Sequence, residues 1–288
     1  MTDGAVVRVQ AGAELVKPLL IAHVRAGGEP GFTAVRNVID VGAKASAQII
    51  EAFVSLPGAA KEGQANAATQ ITVGDEAKVV HVKCAADTGD GNTHLSNWMI
   101  RLGRETDYAG FQLTQGVSLA RNQIFVAFDG EDTKLDLSGV FLGRGRDHID
   151  TTLVVDHAVP SCESREVFKG VLDDQSRGVF QGKIIVQQIA QKTDGKQMSQ
   201  GLLLSPDAEF DSKPELEIFA DDVACGHGAT CTELDKDLMF YCESRGIPSD
   251  IARGLLIESF IGEAVEKIEH EPIAEAVMEF ARGWLSKS

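Results

Sequence analysis

From Ala5 to about Gly228 the chain repeats one pattern: a short alternating or apolar run, a turn containing Gly or Asp, then another run. The segments "AVVRVQAGAEL", "RNVIDVGAKASAQIIEAFV", "TQITVGDEAKVVHVKC", "TKLDLSGVFLG" and "GVFQGKIIVQQIA" all follow it. In "VVRVQ", "TKLDLSG" and "TTLVVDH" the apolar residues recur with period 2, which places them on one face of a half-buried strand. No helical pattern separates the runs, so a βαβ sheet is disfavoured. Two mainly β architectures fit, a sandwich or jelly roll and a β-solenoid whose coils stack on one another. Small residues at the turns ("GA", "GD", "SG") and the length of the repetitive region lean toward the solenoid.

The pattern changes at Thr230. Thr232 with Asp235 outlines a capping box, and Leu234, Leu238, Tyr241 and Cys242 recur at helical spacing. Gly246 and Pro248 stop that helix, and Ser249 caps a second with a stripe of Ile251, Leu255, Ile261, Val265 and Ile268. Pro272 opens a third, with Ile273, Val277, Phe280 and Trp284 along one side. The expected organisation is a β body over residues 1–229 and a C-terminal α-helical subdomain over residues 230–288.

Composition narrows the function classes. With 43% hydrophobic residues the 288-residue chain can bury a core, and 29 glycines against 6% aromatics suit many strands and tight turns. The formal charge of -16 repels nucleic acid and anionic membrane surfaces and favours cations or basic partners, besides serving solubility. No apolar run is long enough for a membrane span, and the start "MTDGAVVRVQ" lacks the outline of a signal peptide. Five scattered cysteines lack the spacing of a disulfide framework, so a reducing, cytoplasmic setting is expected.

Several chemistries are missing from the text. There is no G-x-x-x-x-G-K-[ST] loop, so the chain is not expected to hydrolyse ATP itself. No G-x-S-x-G, H-E-x-x-H or C-x-x-C motif occurs. "GRGRDH", Gly143 to His148, reads as a polar surface turn. His23, His81, His94 and His157 fall in strand-like runs as structural histidines, and Cys84 and Cys162 read as small buried residues. The segment "DDVACGHGATC" is different. If it is extended, Cys225 and His227 share a face, and thiolate beside imidazole is a two-ligand fragment for iron or zinc. Tetrahedral sites need four donors, so the others would come from elsewhere or from a second chain. A nucleophilic Cys–His pair and a purely structural pair at the end of the last strand remain open beside it.

The stretch from Phe168 to Leu256, through "GVFQGKI", "AQKTDGKQ", "LLLSPDAE", "ADDVACGHGAT" and "FYCESRGI", resembles the SufD branch of the SufB/SufD family of SUF iron–sulfur cluster assembly. The resemblance implies a right-handed parallel β-helix followed by C-terminal helices. It implies a non-enzymatic scaffold that pairs with a SufB-like paralogue and docks the SufC ATPase in the cytoplasm. His227 matches a histidine at the SufB–SufD interface implicated in iron acquisition or cluster formation, and Cys225 matches a nearby family cysteine. Where SufB-like chains carry an acidic residue after the histidine, this chain has Gly228. The region from Leu234 to Ile268 corresponds to the SufC-docking helices, which makes Phe240, Tyr241, Arg245 and Ile247 candidate contacts. Packing against the β-helix is the alternative role for some of them. No cofactor is expected to bind the isolated chain tightly; iron or a nascent iron–sulfur cluster belongs to the complex. A homodimer is expected without SufB, and the family's N-terminal helical domain is expected to be absent. Two rivals make different predictions. A β-helix carbohydrate-active enzyme needs a carboxylate cluster on one solenoid face, and a stand-alone metal-binding protein needs a full ligand set.

Overall fold

The computed structural model describes residues 3–60, 62–86 and 89–286. In chain order its strands are β1 (Val6–Val9), β2 (Leu19–Arg25), β3 (Gly31–Val41), β4 (Ser46–Ser55), β5 (Gly63–Val73), β6 (Lys78–Ala85), β7 (Gly89–Leu102) and β8 (Asp107–Gln115). The second half continues with β9 (Val117–Phe128), β10 (Lys134–Gly143), β11 (His148–His157), β12 (Glu163–Leu172), β13 (Arg177–Val186), β14 (Asp194–Leu203), β15 (Glu209–Ile218) and β16 (Gly226–Glu233). Odd-numbered strands form one eight-stranded sheet and even-numbered strands another, and every pairing is parallel between consecutive coils. This is a β-solenoid, the second of the two architectures the pattern allowed.

One turn explains why the chain coils. Most odd strands pass to the next even strand through a residue with positive φ: Lys44 (60°), Glu76 (59°), Glu105 (54°), Asp132 (57°), Ser161 (60°) and Lys192 (66°). A non-glycine residue there costs about 1–2 kcal/mol. Stacking offsets the cost, because these amides bond the turn one coil on: Lys44 N to Asp75 O (2.8 Å), Glu76 N to Arg104 O (2.8 Å), Ser161 N to Gln191 O (2.9 Å). Two residues before the positive φ, Gly130 packs so closely on the Arg104 backbone that a Cβ would collide with it. One residue after it, Ala45, Ala77, Thr106, Thr133, Cys162 and Thr193 form a buried column. Cys162 is thus the small buried residue the sequence indicated.

Alternation fills the lumen. Val41, Ile71, Ile100, Leu102, Phe128, Leu137, Leu153, Phe168 and Phe180 are buried inside. Toward the first coils the lumen turns polar. Glu51, on β4, receives hydrogen bonds from Asn37 Nδ2 (2.8 Å), Thr69 Oγ1 (2.6 Å) and Trp98 Nε1 (3.0 Å) and pairs with His81 Nε2 at 2.9 Å. His81 Nδ1 is 2.8 Å from the Tyr108 hydroxyl, and its ring stacks on Trp98. His23, His81, His94 and His157 all lie in strands, in keeping with their structural reading.

Three helices follow: α1 (Lys236–Ser244), α2 (Ser249–Val265) and α3 (Glu271–Leu285). α2 and α3 pack on the outer face of the even-numbered sheet, and α1 lies against α2. Ile257, Ile261, Val265, Ile273, Val277 and Trp284 join Val82, Cys84, Val140 and Val171 in one apolar cluster, which is why those strands bury both faces. Arg144 stacks over Trp284 at 4.1 Å, and Lys169, fully buried, pairs with Glu263. None of these helices is long and apolar enough to cross a membrane.

The helix details depart from the periodicity. Thr232 still belongs to β16, and no capping box forms; Asp235 is itself the N-cap, its Oδ1 accepting from Asp237 N (2.8 Å) and Leu238 N (3.1 Å). Pro248, not Ser249, holds the N-cap position of α2, without a side-chain bond. Ile251 (52% exposed), Leu255 (49%) and Phe280 (43%) lie outside the core, and Ala252 and Ala281 face it instead. A helix that docks on a flat sheet buries small residues where close approach matters, a choice hydrophobicity alone does not reveal. Asp235→Ala is expected to cost about 1 kcal/mol, read as a loss of α1 helicity by circular dichroism with the solenoid's unfolding midpoint nearly unchanged.

Candidate functional site

The last coil is the open end of the solenoid. β15 and β16 are the terminal strands of their sheets, and no residue of either is fully buried. The extended geometry expected around Cys225 and His227 is present. His227 is in register with Gln197 on β14, and Gln197 with Glu166 on β12, so the three occupy one inward-facing column. Cys225 precedes β16 by one residue and turns inward over β14, where a Cβ at Gly195 would lie 3.5 Å from its Sγ. The same point is 3.4 Å from Ser164 Oγ, which pairs with His157 Nε2 at 3.0 Å. His227 is exposed and Cys225 half-buried.

The electrostatics are uneven. Burial pushes the Cys225 thiol up; contact with the Gly195 backbone opposes this, and Asp194 and Glu166 add to it. Glu166 is fully buried, and neither carboxyl oxygen has a hydrogen-bond partner among the described residues. Burial drives it up to about 8, against the pull of Ser164 and Arg165. Both amide atoms of Gln197 lack partners among the described residues as well. A cavity of about 580 Å³ lies on the outer face of the sheet behind this column, lined by the outward-facing Arg165, Val167 and Met198, by the strand segments that carry Glu166, Gln197, Cys225 and His227 and, at its mouth, by Lys196 and Lys267. The basic mouth is neutralised: Arg165 binds Asp194 at 2.7 Å, Lys196 meets Asp194 at 3.5 Å, and Lys267 reaches Asp136 at 3.4 Å.

As a metal centre the arrangement is partial. Thiol and imidazole suit iron or zinc, but among the described residues no three His, Cys, Asp or Glu side chains already converge on one point. Cys231 is part of β16, with Thr232 after it, so it does not belong to a helix. It shares the face of His227, but it stands four positions further along the extended strand, roughly 13 Å away and too far for one ion. A second cavity, about 360 Å³ at the opposite end, is lined by His23, Arg25, Phe53 and His94 and contains no cysteine. The two buried carboxylates among the described residues, Glu51 and Glu166, lie inside the solenoid, four strands apart in one sheet and not on an outer face.

The remaining sequence candidates are also placed. Phe240 (71% exposed) and Tyr241 (54%) project from α1, which buries no residue of its own. Arg245 stacks on Tyr241 at 4.3 Å, and Ile247 is half-buried. The Gly143–His148 segment is a turn whose amides are occupied: Arg144 N bonds Asp147 Oδ2 (3.1 Å), and Gly145 N bonds Asp174 Oδ2 (2.9 Å). Sequence reading passed over Ser164, Glu166, Gly195 and Gln197. Their signal is the stacking period, which aligns Glu166, Gln197 and His227 once the coils are in register.

The family profile described as "SUF system FeS cluster assembly, SufBD core domain" matches residues 23–260. The chain belongs to the SufBD family. It is 33% identical over 275 residues to the iron–sulfur cluster assembly protein SufD of Escherichia coli, covering 94% of this chain and 64% of that protein. A SufBD family protein of Synechocystis is 32% identical over 277 residues, covering 93% of this chain and 60% of its own length. The Bacillus subtilis SufD is 26% identical over 282 residues, covering 96% and 63%. The chain therefore spans about three fifths of the length of the SufBD relatives it matches. The SufBD match extends from β2 into α2, so it takes in the open end and its Cys225–His227 column.

Proposed function

We propose that this chain is a non-enzymatic scaffold subunit of cytoplasmic iron–sulfur cluster assembly, presenting Cys225 and His227 as half of a shared site for iron or a nascent cluster. The observation that carries this reading is their position: inward-facing donors on the rim of a solenoid whose last two strands have free edges. Such edges favour continuation of the sheets by a second solenoid, here a SufB-like paralogue that supplies the missing donors. Without that paralogue the same edges pair two copies of this chain. The exposed side of α1, with Phe240, Tyr241, Arg245 and Ile247, docks the SufC ATPase, whose work reaches the rim through the helices on the even-numbered sheet. The iron and sulfide are cargo, not resident cofactors.

The test is co-purification with SufB-like and SufC partners, then anaerobic reconstitution of wild type and His227→Ala. The complex is expected to form equally, with iron and sulfide in the variant reduced on the order of tenfold, the loss expected when a metal ligand or its close support is removed. Equal loading would make the histidine structural. Phe240→Asp is expected to abolish SufC retention and leave the paralogue bound; undiminished retention would overturn the docking assignment.

A further inference from the structure

Inside the rim, Gly195 leaves a gap in the column of inward-facing residues on β12, β14 and the segment entering β16. Cys225 Sγ bounds it above, Ser164 Oγ below and Ile184 Cδ1 at the side, each 3.4–3.5 Å from where a Cβ would stand. Beside the gap runs the column Glu166–Gln197–His227. Glu166 is 0% exposed and Gln197 3% exposed, and all four of their side-chain polar atoms are without partners among the described residues. Buried polar groups in folded proteins are nearly always satisfied by protein, water or an ion. An unpaired interior carboxyl two rungs below a cysteine and a histidine is a free donor for a cation bound between them.

We propose that the rung of Gly195 is a divalent-cation subsite of this chain's own, with Cys225 and His227 as donors from above and the Glu166 carboxylate from below. Gln197 Oε1 offers a fourth, neutral donor at the level of the ion. The proposal rests on the reading of Cys225 and His227 as metal donors and adds a place where the chain holds the ion before or without a partner. Adjacent rungs are about 4.8 Å apart, so an ion at the middle rung lies one step from either set of donors. Mixed sulfur, nitrogen and carboxylate donors select a borderline dication such as Fe²⁺ or Zn²⁺ over Mg²⁺ or Ca²⁺. Among the described residues the donors do not already converge; neither oxygen of Glu166 is fixed there by a hydrogen bond of ordinary geometry, and the side chain closes the site by rotating about its own torsions. The ion enters from the open rim, where β16 is the terminal strand and nothing in its sheet stacks above Cys225 and His227 among the described residues. On binding, the thiol and carboxyl protons leave to solvent, and no electrons are transferred.

The probe is Co²⁺, titrated anaerobically into the full chain and followed by its thiolate-to-metal charge-transfer band and d–d absorption. Wild type is expected to bind one equivalent with the charge-transfer band present. Glu166→Gln, isosteric but a far poorer ligand, is expected to weaken binding at least about 10-fold. Gly195→Ala places its methyl at ordinary contact distances, so the fold is retained while the rung is occupied, and a comparable loss is expected. Far-ultraviolet circular dichroism checks the fold of each variant. If Cys225→Ala removes the band while Glu166→Gln and Gly195→Ala bind like wild type, the ion sits at the rim; the subsite is then overturned and the shared-site reading stands. If wild type binds no Co²⁺, the subsite is overturned. If Co²⁺ binds but neither Cys225→Ala nor His227→Ala changes its spectrum or affinity, both readings fall.

Discussion

Glu51→Ala is expected to lower the stability of the chain by about 3–5 kcal/mol, the usual cost of breaking a buried charge pair by removing one partner. The carboxylate is at the centre of the polar lumen of the first coils, and its loss leaves His81 Nε2, Trp98 Nε1, Asn37 Nδ2 and Thr69 Oγ1 facing an empty space. Burial alone pushes Glu51 up, but the hydrogen bond and charge of His81, with the bonds from Thr69 and Asn37, bring it down to about 2 from 4.5. A folded value below the unfolded one means the contribution is complete above the ordinary carboxylate range and is lost as pH falls from about 4.5 through about 2. Its size is on the order of 3 kcal/mol. Urea unfolding at neutral pH and at about pH 3 separates the outcomes. Wild type is expected to lose stability on this acid limb and the variant to lose much less of it. A neutral-pH difference below about 1 kcal/mol would mean the network is dispensable.

The second large effect concerns Gly170 and Phe141. A Cβ at Gly170 would stand 2.5 Å from Phe141 Cζ and closer still to Cε2, and one at Gly178 would stand 2.5 Å from Cε2. The ring occupies the volume that two side chains would otherwise fill. Gly170→Ala is expected to cost about 1–3 kcal/mol by overpacking, and Phe141→Ala about 3–5 kcal/mol through the cavity it leaves. In the double variant Gly170→Ala/Phe141→Leu the added methyl meets a smaller partner. Its loss should fall short of the sum of the losses of Gly170→Ala and Phe141→Leu made singly by about 0.5–3 kcal/mol. Additive losses by denaturant unfolding would mean that the two positions relax independently.

Much of the fold could be read locally. Period 2 placed the strands because a strand with one face on a core must alternate, and the change of period near Thr230 placed the helices to within a few residues. The helix stripe misled at Ile251, Leu255 and Phe280, because α2 and α3 are apolar on more than one side and the sheet, not the helix, chooses the buried face. The capping box at Thr232 failed for a related reason. β14 offers β16 hydrogen-bonding partners as far as Glu233, and strand pairing takes the residues that a helix start would have used.

The sequence by itself determined the strand runs, the coil turns, the helical tail, the family, and the common face of Cys225 and His227. It could do so because these depend on residues close together in the chain and on short motifs. Only the tertiary structure decided what lies under that face. Parallel coils pair residues a whole turn of the solenoid apart, and a local pattern is unchanged by a slip of two residues between coils. Register alone therefore puts Gly195 beneath Cys225, Gln197 and Glu166 beneath His227, and Phe141 against Gly170.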